Sequence, residues 1–137
     1  GELVVIMGDV GSGKSSLLSG ILGELHCRAG AISIRSREDR PRSGTEDAAA
    51  DKLGLAYVPQ VAWILDTTLR ENVLMGKPWD AKKYRHAVHA AGLLPDLDVL
   101  PNGDETSIGE RGVCLSGGQK QRVSLARAIY ADADIYL

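Results

Sequence analysis

An α/β fold is predicted by three stretches of this chain. The first is the apolar, β-branched run at residues 3–7. It leads into Gly8-Asp9-Val10-Gly11-Ser12-Gly13-Lys14-Ser15 and then into Ser16, Leu17, Leu18, Ile21 and Leu22. That order reads as buried strand, glycine-rich turn and amphipathic helix. The second is a pair of short apolar runs at residues 53–58 and 134–137, separated by helical patterns. The third is Leu115-Ser116-Gly117-Gly118-Gln119, which opens a helical apolar face through Val123, Leu125, Ala126, Ala128 and Ile129.

The first stretch has the chemistry of a phosphate-binding loop. Gly8, Gly11 and Gly13 let the backbone approach an anion without a Cβ in the way. Successive N–H groups around Asp9, Val10 and Ser12 can then surround α- and β-phosphates at a helix N-terminus whose dipole favours negative charge. Lys14 is placed to carry its ammonium to the β- and γ-phosphates, Ser15 to offer its hydroxyl to Mg²⁺, and Ser16 to add a contact from the first helical turn. A glycine-rich turn that only caps a helix is the bland alternative. The Gly-Lys-Ser ending and the flanking strand and helix favour the phosphate site.

At 137 residues the chain is one domain at most. Its 44% hydrophobic and 25% charged residues are those of a soluble globular piece. A net charge of −2 provides no basic field for nucleic acid. No apolar run is long enough to span a bilayer, and no signal-peptide pattern opens the chain. Cys27 and Cys114 lack metal-ligand spacing and read as reduced thiols, with a disulfide the minor alternative. Both ends cut into apolar strands, so the sequence reads as a fragment truncated at each end.

Taken in order, the first helix is expected over residues 13–25, with Gly23 a weak point. A turn at Ala29-Gly30 precedes a short strand at residues 31–34. Residues 36–52 hold arginines, acids and small residues with almost no large apolar side chain, the composition of a mobile insertion. Within it Ser43, behind Arg40 and Arg42, has the outline of a kinase target, although an ordinary loop serine is the preferred reading.

The next strand, residues 53–58, is ended by Pro59, and Gln60 follows where a side chain can reach a nucleotide. Thr68 and Glu71 have capping-box spacing before a short helix at residues 69–74, closed by Gly76 and Pro78. Residues 80–91 form a second helix, with Ala81, Tyr84, Val88 and Ala91 on its apolar face and Lys82, Lys83 and Arg85 opposite. His86 and His89 lack a third ligand and read as ordinary histidines. Leu93-Leu94-Pro95 closes that helix, and residues 98–110 are an acidic connection anchored by Leu100 and Ile108. Ser116 with Gly117 and Gly118 then makes a second helix start rich in backbone donors, again an anion site.

In this order the motifs resemble the nucleotide-binding domain of an ATP-binding cassette (ABC) transporter. Residues 8–15 match its Walker A loop, Gln60 its Q-loop glutamine, and Leu115 to Gln119 its LSGGQ signature. Ile135-Tyr136-Leu137 match the start of Walker B. The resemblance extends to the multidrug-resistance-associated C subfamily and its first nucleotide-binding domain. It rests there on Tyr57-Val58-Pro59-Gln60 with Ala62-Trp63-Ile64, on Leu69-Arg70-Glu71-Asn72-Val73, on Gly109-Glu110-Arg111-Gly112, and on the eight residues from Gln121 to Ala128. It covers essentially the whole chain except residues 36–52, which are longer and more charged than the family pattern.

The resemblance implies a P-loop NTPase core with a mixed sheet, residues 1–60 and 120–137. A helical subdomain with the signature, residues 61–119, would face transmembrane domains at the cytoplasmic side of a membrane. It implies ATP and Mg²⁺ as cofactors, Lys14 and Gln60 as catalytic, and Ser15 with Gln60 at the metal. Leu115, Ser116, Gly117, Gly118 and Gln119 would cover the ATP of a second nucleotide-binding domain. ATP binding closes such a pair and hydrolysis opens it, driving export of drugs or anionic conjugates. Trp63 and Trp79 would add to the transmembrane contact, or simply pack in the core. A soluble cassette ATPase, or a regulatory domain with little turnover, are the alternatives. The aspartate and catalytic acid of Walker B and the switch histidine lie outside the sequence, so the isolated fragment is expected to be inactive.

Overall fold

The computed structural model describes residues 1–34, 54–110 and 112–137. The proposed insertion at residues 36–52, Ser43 within it, Leu53 and Arg111 lie outside the described residues. The chain divides into two compact units, Gly1–Arg35 and Ser36–Leu137.

The first unit is built on α1, Lys14–Ile21. It is shorter than the residue 13–25 span expected from the sequence, because Gly23 takes a left-handed φ of 78°. The Gly23 N–H then donates to the Gly20 carbonyl at 3.1 Å and the Glu24 N–H to that of Ser19 at 2.9 Å. This reversed pair of bonds satisfies the last carbonyls and stops the helix. Residues 3–7 and 31–34, expected as strands, are not strands. An extended run becomes a strand only when a neighbour completes its ladder, and neither run belongs to one of the paired sheets. The side chains of residues 3–7 are largely exposed, Leu3 at 89% and Met7 at 87%.

The second unit carries the core. Its expected strand is reduced to β1, Leu55–Ala56, which pairs in parallel with β4, Ile135–Tyr136. The ladder continues past both, with Val58 N–H donating to Leu137 O at 2.8 Å. Parallel pairing between distant stretches is the α/β feature that the sequence predicts. A second ladder was not legible in the sequence. Here β2, Thr67–Thr68, runs antiparallel to β3, Ser107–Ile108, each only two residues long and without an alternating run to reveal it.

Helix α2, Leu69–Leu74, forms where expected, and the Thr68 hydroxyl accepts from the Glu71 N–H at 3.1 Å. The Glu71 carboxylate does not complete the capping box; it accepts from the Thr67 hydroxyl instead. Helix α3, Ala81–Ala90, is capped by the Asp80 carboxylate, which accepts from the Lys82 and Lys83 N–H groups. These bonds, the Lys83 one first, hold the Asp80 carboxyl below its ordinary range. Tyr84, Ala87, Val88 and Ala91 are buried, whereas Ala81 is exposed and Ala87 takes its place on the inner face. His86 and His89 are exposed, and among the described residues no acid, histidine and cysteine cluster could hold a metal.

Leu93-Leu94-Pro95 starts a helix instead of only closing one. Pro95 sits in the first turn of α4, Leu94–Val99, where its missing N–H costs nothing. A 3₁₀ turn at Gly103–Glu105 follows, tied to α2 by Arg70, whose Nε and Nη2 both donate to Asp104 at 3.0 Å. Helix α5, Gly117–Ala131, closes the unit. Val123, Ala126 and Tyr130 recur at helical spacing and meet Leu69, Val73, Val88, Leu93, Leu100 and Ile108 in one buried cluster. Leu100 and Ile108 thus anchor their connection as expected. Leu125 points outward instead, at 39% exposure.

Tyr130 joins α5 to the start of α3. Its hydroxyl donates to Pro78 O and accepts from the Asp80 N–H at 2.9 Å. Tyr130→Phe is expected to cost about 1–2 kcal/mol, because it leaves two backbone groups to find other partners. Denaturant unfolding of the full-length protein, monitored at this unit, checks it; no loss would mean water already serves both groups.

Candidate functional site

The phosphate-loop residues form one continuous bend. The Ser12 N–H donates to Asp9 O at 3.2 Å, closing a turn over Val10 and Gly11. Gly11 and Gly13 hold φ of 82° and 91°, left-handed values that a side chain at either place would strain. Gly13 is also the N-cap of α1 and offers no side-chain oxygen to the first helical amides. Those amides, at Lys14, Ser15 and Ser16, are the donors that a ligand anion requires.

The Lys14 side chain folds back over the bend. Its Nζ donates to Gly8 O at 2.8 Å, to Asp9 O at 2.6 Å and to Ser12 Oγ at 3.4 Å. These neutral partners steer the ammonium without cancelling its charge. Gly8, Asp9, Val10, Gly11, Ser12, Gly13, Ser15 and Ser16 are exposed and Lys14 is half-buried, so the bend is accessible.

In the second unit the structure joins Gln60 to the signature helix. Gln60 is exposed, just past the β1 ladder, and its backbone carbonyl accepts from Nε2 of Gln121 on α5. The chain beyond Gln60 is fastened to the same helix. The Arg127 guanidinium lies 3.9 Å from the Trp63 ring centroid, and its Nε donates to Asn72 O at 2.8 Å. Burial pushes the Arg127 guanidinium down from its ordinary value. Asn72 is fully buried, and its side chain clamps both Leu65 N–H and Leu65 O, at 2.8 and 3.0 Å. Trp63 and Trp79 are 44% and 50% exposed, so neither is a core residue. Trp79 instead lies beside Tyr84 and beneath Arg70.

The signature residues divide by burial. Leu115 is buried and anchors the turn, while Ser116, Gly117 and Gly118 are exposed. Ser116 caps α5 in a complete capping box: its hydroxyl accepts from Gln119 N–H at 3.3 Å, and the Gln119 carboxamide oxygen accepts from Ser116 N–H at 2.8 Å. The Gln119 Nε2 donates to Asp96 Oδ1 at 3.2 Å. Asp96 also takes Arg122 bidentately, Nε to Oδ2 at 2.6 Å and Nη2 to Oδ1 at 2.8 Å. Arg122 first, then Gln119, holds the Asp96 carboxyl below its ordinary range. It is therefore charged at neutral pH, and its contribution is lost only as the pH falls through that depressed value.

Asp96, Gln121, Arg122, Asn72 and Arg127 were not singled out from the sequence. Arg127 interrupts the apolar face of α5, and it, Gln121, Arg122 and Asn72 lie in stretches quoted for the family resemblance without a role of their own. Cys27 and Cys114 are exposed and free. Among the described residues, no helix is long and apolar enough to cross a membrane.

A family model described as ABC transporter matches residues 1–137, the whole chain. The chain belongs to the ABC transporter family. This ABC transporter chain is 51% identical, over all of its length, to ATP-binding cassette sub-family C member 3 of Rattus norvegicus. It is 50% identical to sub-family C member 2 of Mus musculus and 49% identical to sub-family C member 3 of Homo sapiens, again over its full length. It spans 8% of the length of each of these relatives. The resemblance to the C subfamily read from the motifs is thereby borne out. ABC transporter domains bind ATP and belong to an ATPase family with a P-loop NTPase fold, which the mixture of helices and parallel-paired strands fits.

Proposed function

We propose that this chain is part of the first nucleotide-binding domain of a C-subfamily ABC exporter. In this reading ATP·Mg²⁺ binds at Gly8 to Ser16, and the Ser116–Gly118 turn covers the ATP of a second nucleotide-binding domain. Residues 1–60 and 120–137 serve as the ATP-binding core of a mixed sheet. Residues 61–119 form the helical subdomain that faces transmembrane domains on the cytoplasmic side. Hydrolysis would then drive export of drugs or organic-anion and glutathione conjugates. A soluble ATPase without membrane spans is not favoured, because the relatives matched along the whole chain are C-subfamily members.

The observation that carries this reading is the presence of two exposed helix starts of the right chemistry in one chain. At one, Gly13 leaves the α1 amides unshielded beside the Lys14 ammonium. At the other, Ser116 is followed by two glycines at the head of α5. A triphosphate carries charge on both flanks, and a helix N-terminus on each flank can neutralise it.

The donor set fits the nucleotide. Backbone N–H groups and an ammonium suit phosphate oxygens, and the Ser15 hydroxyl suits a hard cation that keeps most of its waters. Bound Mg²⁺ would neutralise charge that develops on the transferring phosphoryl group. The protein's own part is placement. Lys14 would hold the β- and γ-phosphate oxygens, Ser15 and the Gln60 carboxamide would hold the cation, and the Gln121 bond fixes the backbone at Gln60. Tying the Gln60 segment to α5 lets one movement carry the γ-phosphate sensor and the signature turn together.

Photolabelling of the full-length protein with an azido-ATP, under conditions without turnover, tests the reading. Lys14→Ala removes a charge-assisted contact and is expected to weaken labelling of this domain about 10- to 100-fold. Labelling of the unchanged protein should also need Mg²⁺, and Ser15→Ala should lower labelling in Mg²⁺ toward the level seen without it. Lys14→Ala labelling equal to the unchanged protein would refute the phosphate site.

A further inference from the structure

We infer that Asp96 is a positioning residue for the signature turn, acting through Gln119 and Arg122, with Gln119 orienting Ser116. This rests on the proposed role of the Ser116–Gly118 turn.

Asp96 is a carboxylate on the short helix α4, only 8% exposed, and among the described residues its side-chain donors, Gln119 and Arg122, both belong to α5. An ionised carboxylate accepts hydrogen bonds and donates none. It therefore draws the NH₂ end of the Gln119 carboxamide toward itself, which leaves the oxygen end facing Ser116. That oxygen receives the Ser116 N–H. The Ser116 backbone is thus fixed from one side, and its hydroxyl is fixed from the other by the Gln119 N–H. Arg122, one turn further along α5, holds Asp96 by both oxygens and so fixes the direction of its carboxylate plane. Both polar ends of the Gln119 side chain are committed within this chain, while Ser116, Gly117 and Gly118 stay exposed for a ligand.

An amide at position 96 cannot reproduce this. If its oxygen faces Gln119, its NH₂ opposes the Arg122 Nε donor. If its oxygen faces Arg122 Nε, its NH₂ opposes Gln119, whose carboxamide must turn and present NH₂ to the Ser116 N–H. Either arrangement sets a donor against a donor. Moving the carboxylate to position 119 repairs the Ser116 side of the second arrangement. One oxygen of the relocated carboxylate accepts from the Ser116 N–H and the other from the NH₂ now at position 96, while the amide oxygen there accepts from Arg122 Nε; Arg122 Nη2, which shares the Asp96 oxygen facing Gln119, gives up its bond. A glutamate side chain three residues after the serine is the ordinary partner in a capping box.

The experiment measures ATPase kcat and KM, azido-ATP labelling of this domain without turnover, and yield of folded protein, all in the full-length protein. Asp96→Asn is expected to lower kcat about tenfold, and Gln119→Glu, which also brings a charge to the turn, by more. Neither should alter labelling or yield, because neither residue is part of the Gly8–Ser16 bend. The double variant, which carries the same added charge as Gln119→Glu, is expected to exceed that single variant by about threefold or more. A double variant no better than the worse single one overturns the inference. So does a parallel fall in kcat, labelling and yield, which would make Asp96 a stability residue only. Ser116→Ala and Lys14→Ala, run alongside, separate this from the underlying reading. Full activity in both would refute the proposed function and the inference together, whereas their loss with no rescue in the double variant refutes only the inference.

Discussion

Gly118→Asp is expected to abolish ATP-driven activity of the full-length protein while leaving its fold and yield intact. The two outcomes separate because a carboxylate has opposite effects on the helix and on its ligand. Gly118 lies in the first turn of α5 and is exposed. A Cβ built there would meet only the Arg122 guanidinium, at an ordinary 3.6 Å. Near a helix N-terminus an acidic side chain stabilises by about 0.3–1 kcal/mol, so the folded domain loses nothing. A phosphate arriving at the same amides meets a like charge instead. At about 4 Å and an effective dielectric near 20, that repulsion is about 4 kcal/mol per charge pair. It corresponds to roughly a thousandfold loss in rate if it falls on the closed, ATP-bound state. ATPase assays on purified variant, with azido-ATP labelling of its Lys14 site as the internal control, measure both halves. Retention of more than about a tenth of the activity would place the ligand charge elsewhere than at this turn.

The same helix shows what sequence reasoning reaches and what it does not. Ser116-Gly117-Gly118 could be read as an exposed helix start because capping is local: the hydroxyl, the amide it accepts and the glutamine that replies lie within four residues. The Gly8 to Ser15 bend and the Thr68 cap were legible for the same reason. What held α5 in place was not legible, since Asp96, Pro59, Gln60, Trp63 and Asn72 reach it across 23 to 64 residues. Such pairs leave no periodicity in one sequence. The strand expected at residues 3–7 fails for a related reason. Apolar β-branched composition gives a preference for extension, but a ladder needs a neighbour, and composition does not name one. β2 and β3 are the converse, two-residue strands made by pairing alone.

Asn72→Ala is expected to destabilise the second unit by about 2–4 kcal/mol. Asn72 is fully buried on α2, in a position that looks from the sequence like one more polar residue in a short helix. Its carboxamide donates to Leu65 O and Thr68 O, both at 3.0 Å, and accepts from Leu65 N–H at 2.8 Å. Thr68 O retains its ordinary helical partner when the side chain is removed, and Leu65 O keeps the Thr67 N–H at 2.9 Å, but the Leu65 N–H loses its acceptor. A stranded, part-buried group costs about 1–3 kcal/mol, and the void left by the carboxamide adds to it. Arg127 also loses one of its contacts there, in surroundings that already disfavour its charge. Against a total stability of about 5–15 kcal/mol for an ordinary domain, such a loss is a large fraction. Glu71→Ala, one residue away and exposed, gives up only its bond with the Thr67 hydroxyl and is expected to cost under about 1 kcal/mol. Pulse proteolysis of the two variants in the full-length protein, read at cleavage between Gln60 and Thr68, compares them directly. Because Leu65 lies on the segment that leads from Gln60, the Asn72 variant should release that segment first. Equal protection in both variants would mean that the Arg127–Trp63 contact, not Asn72, secures the segment to α5.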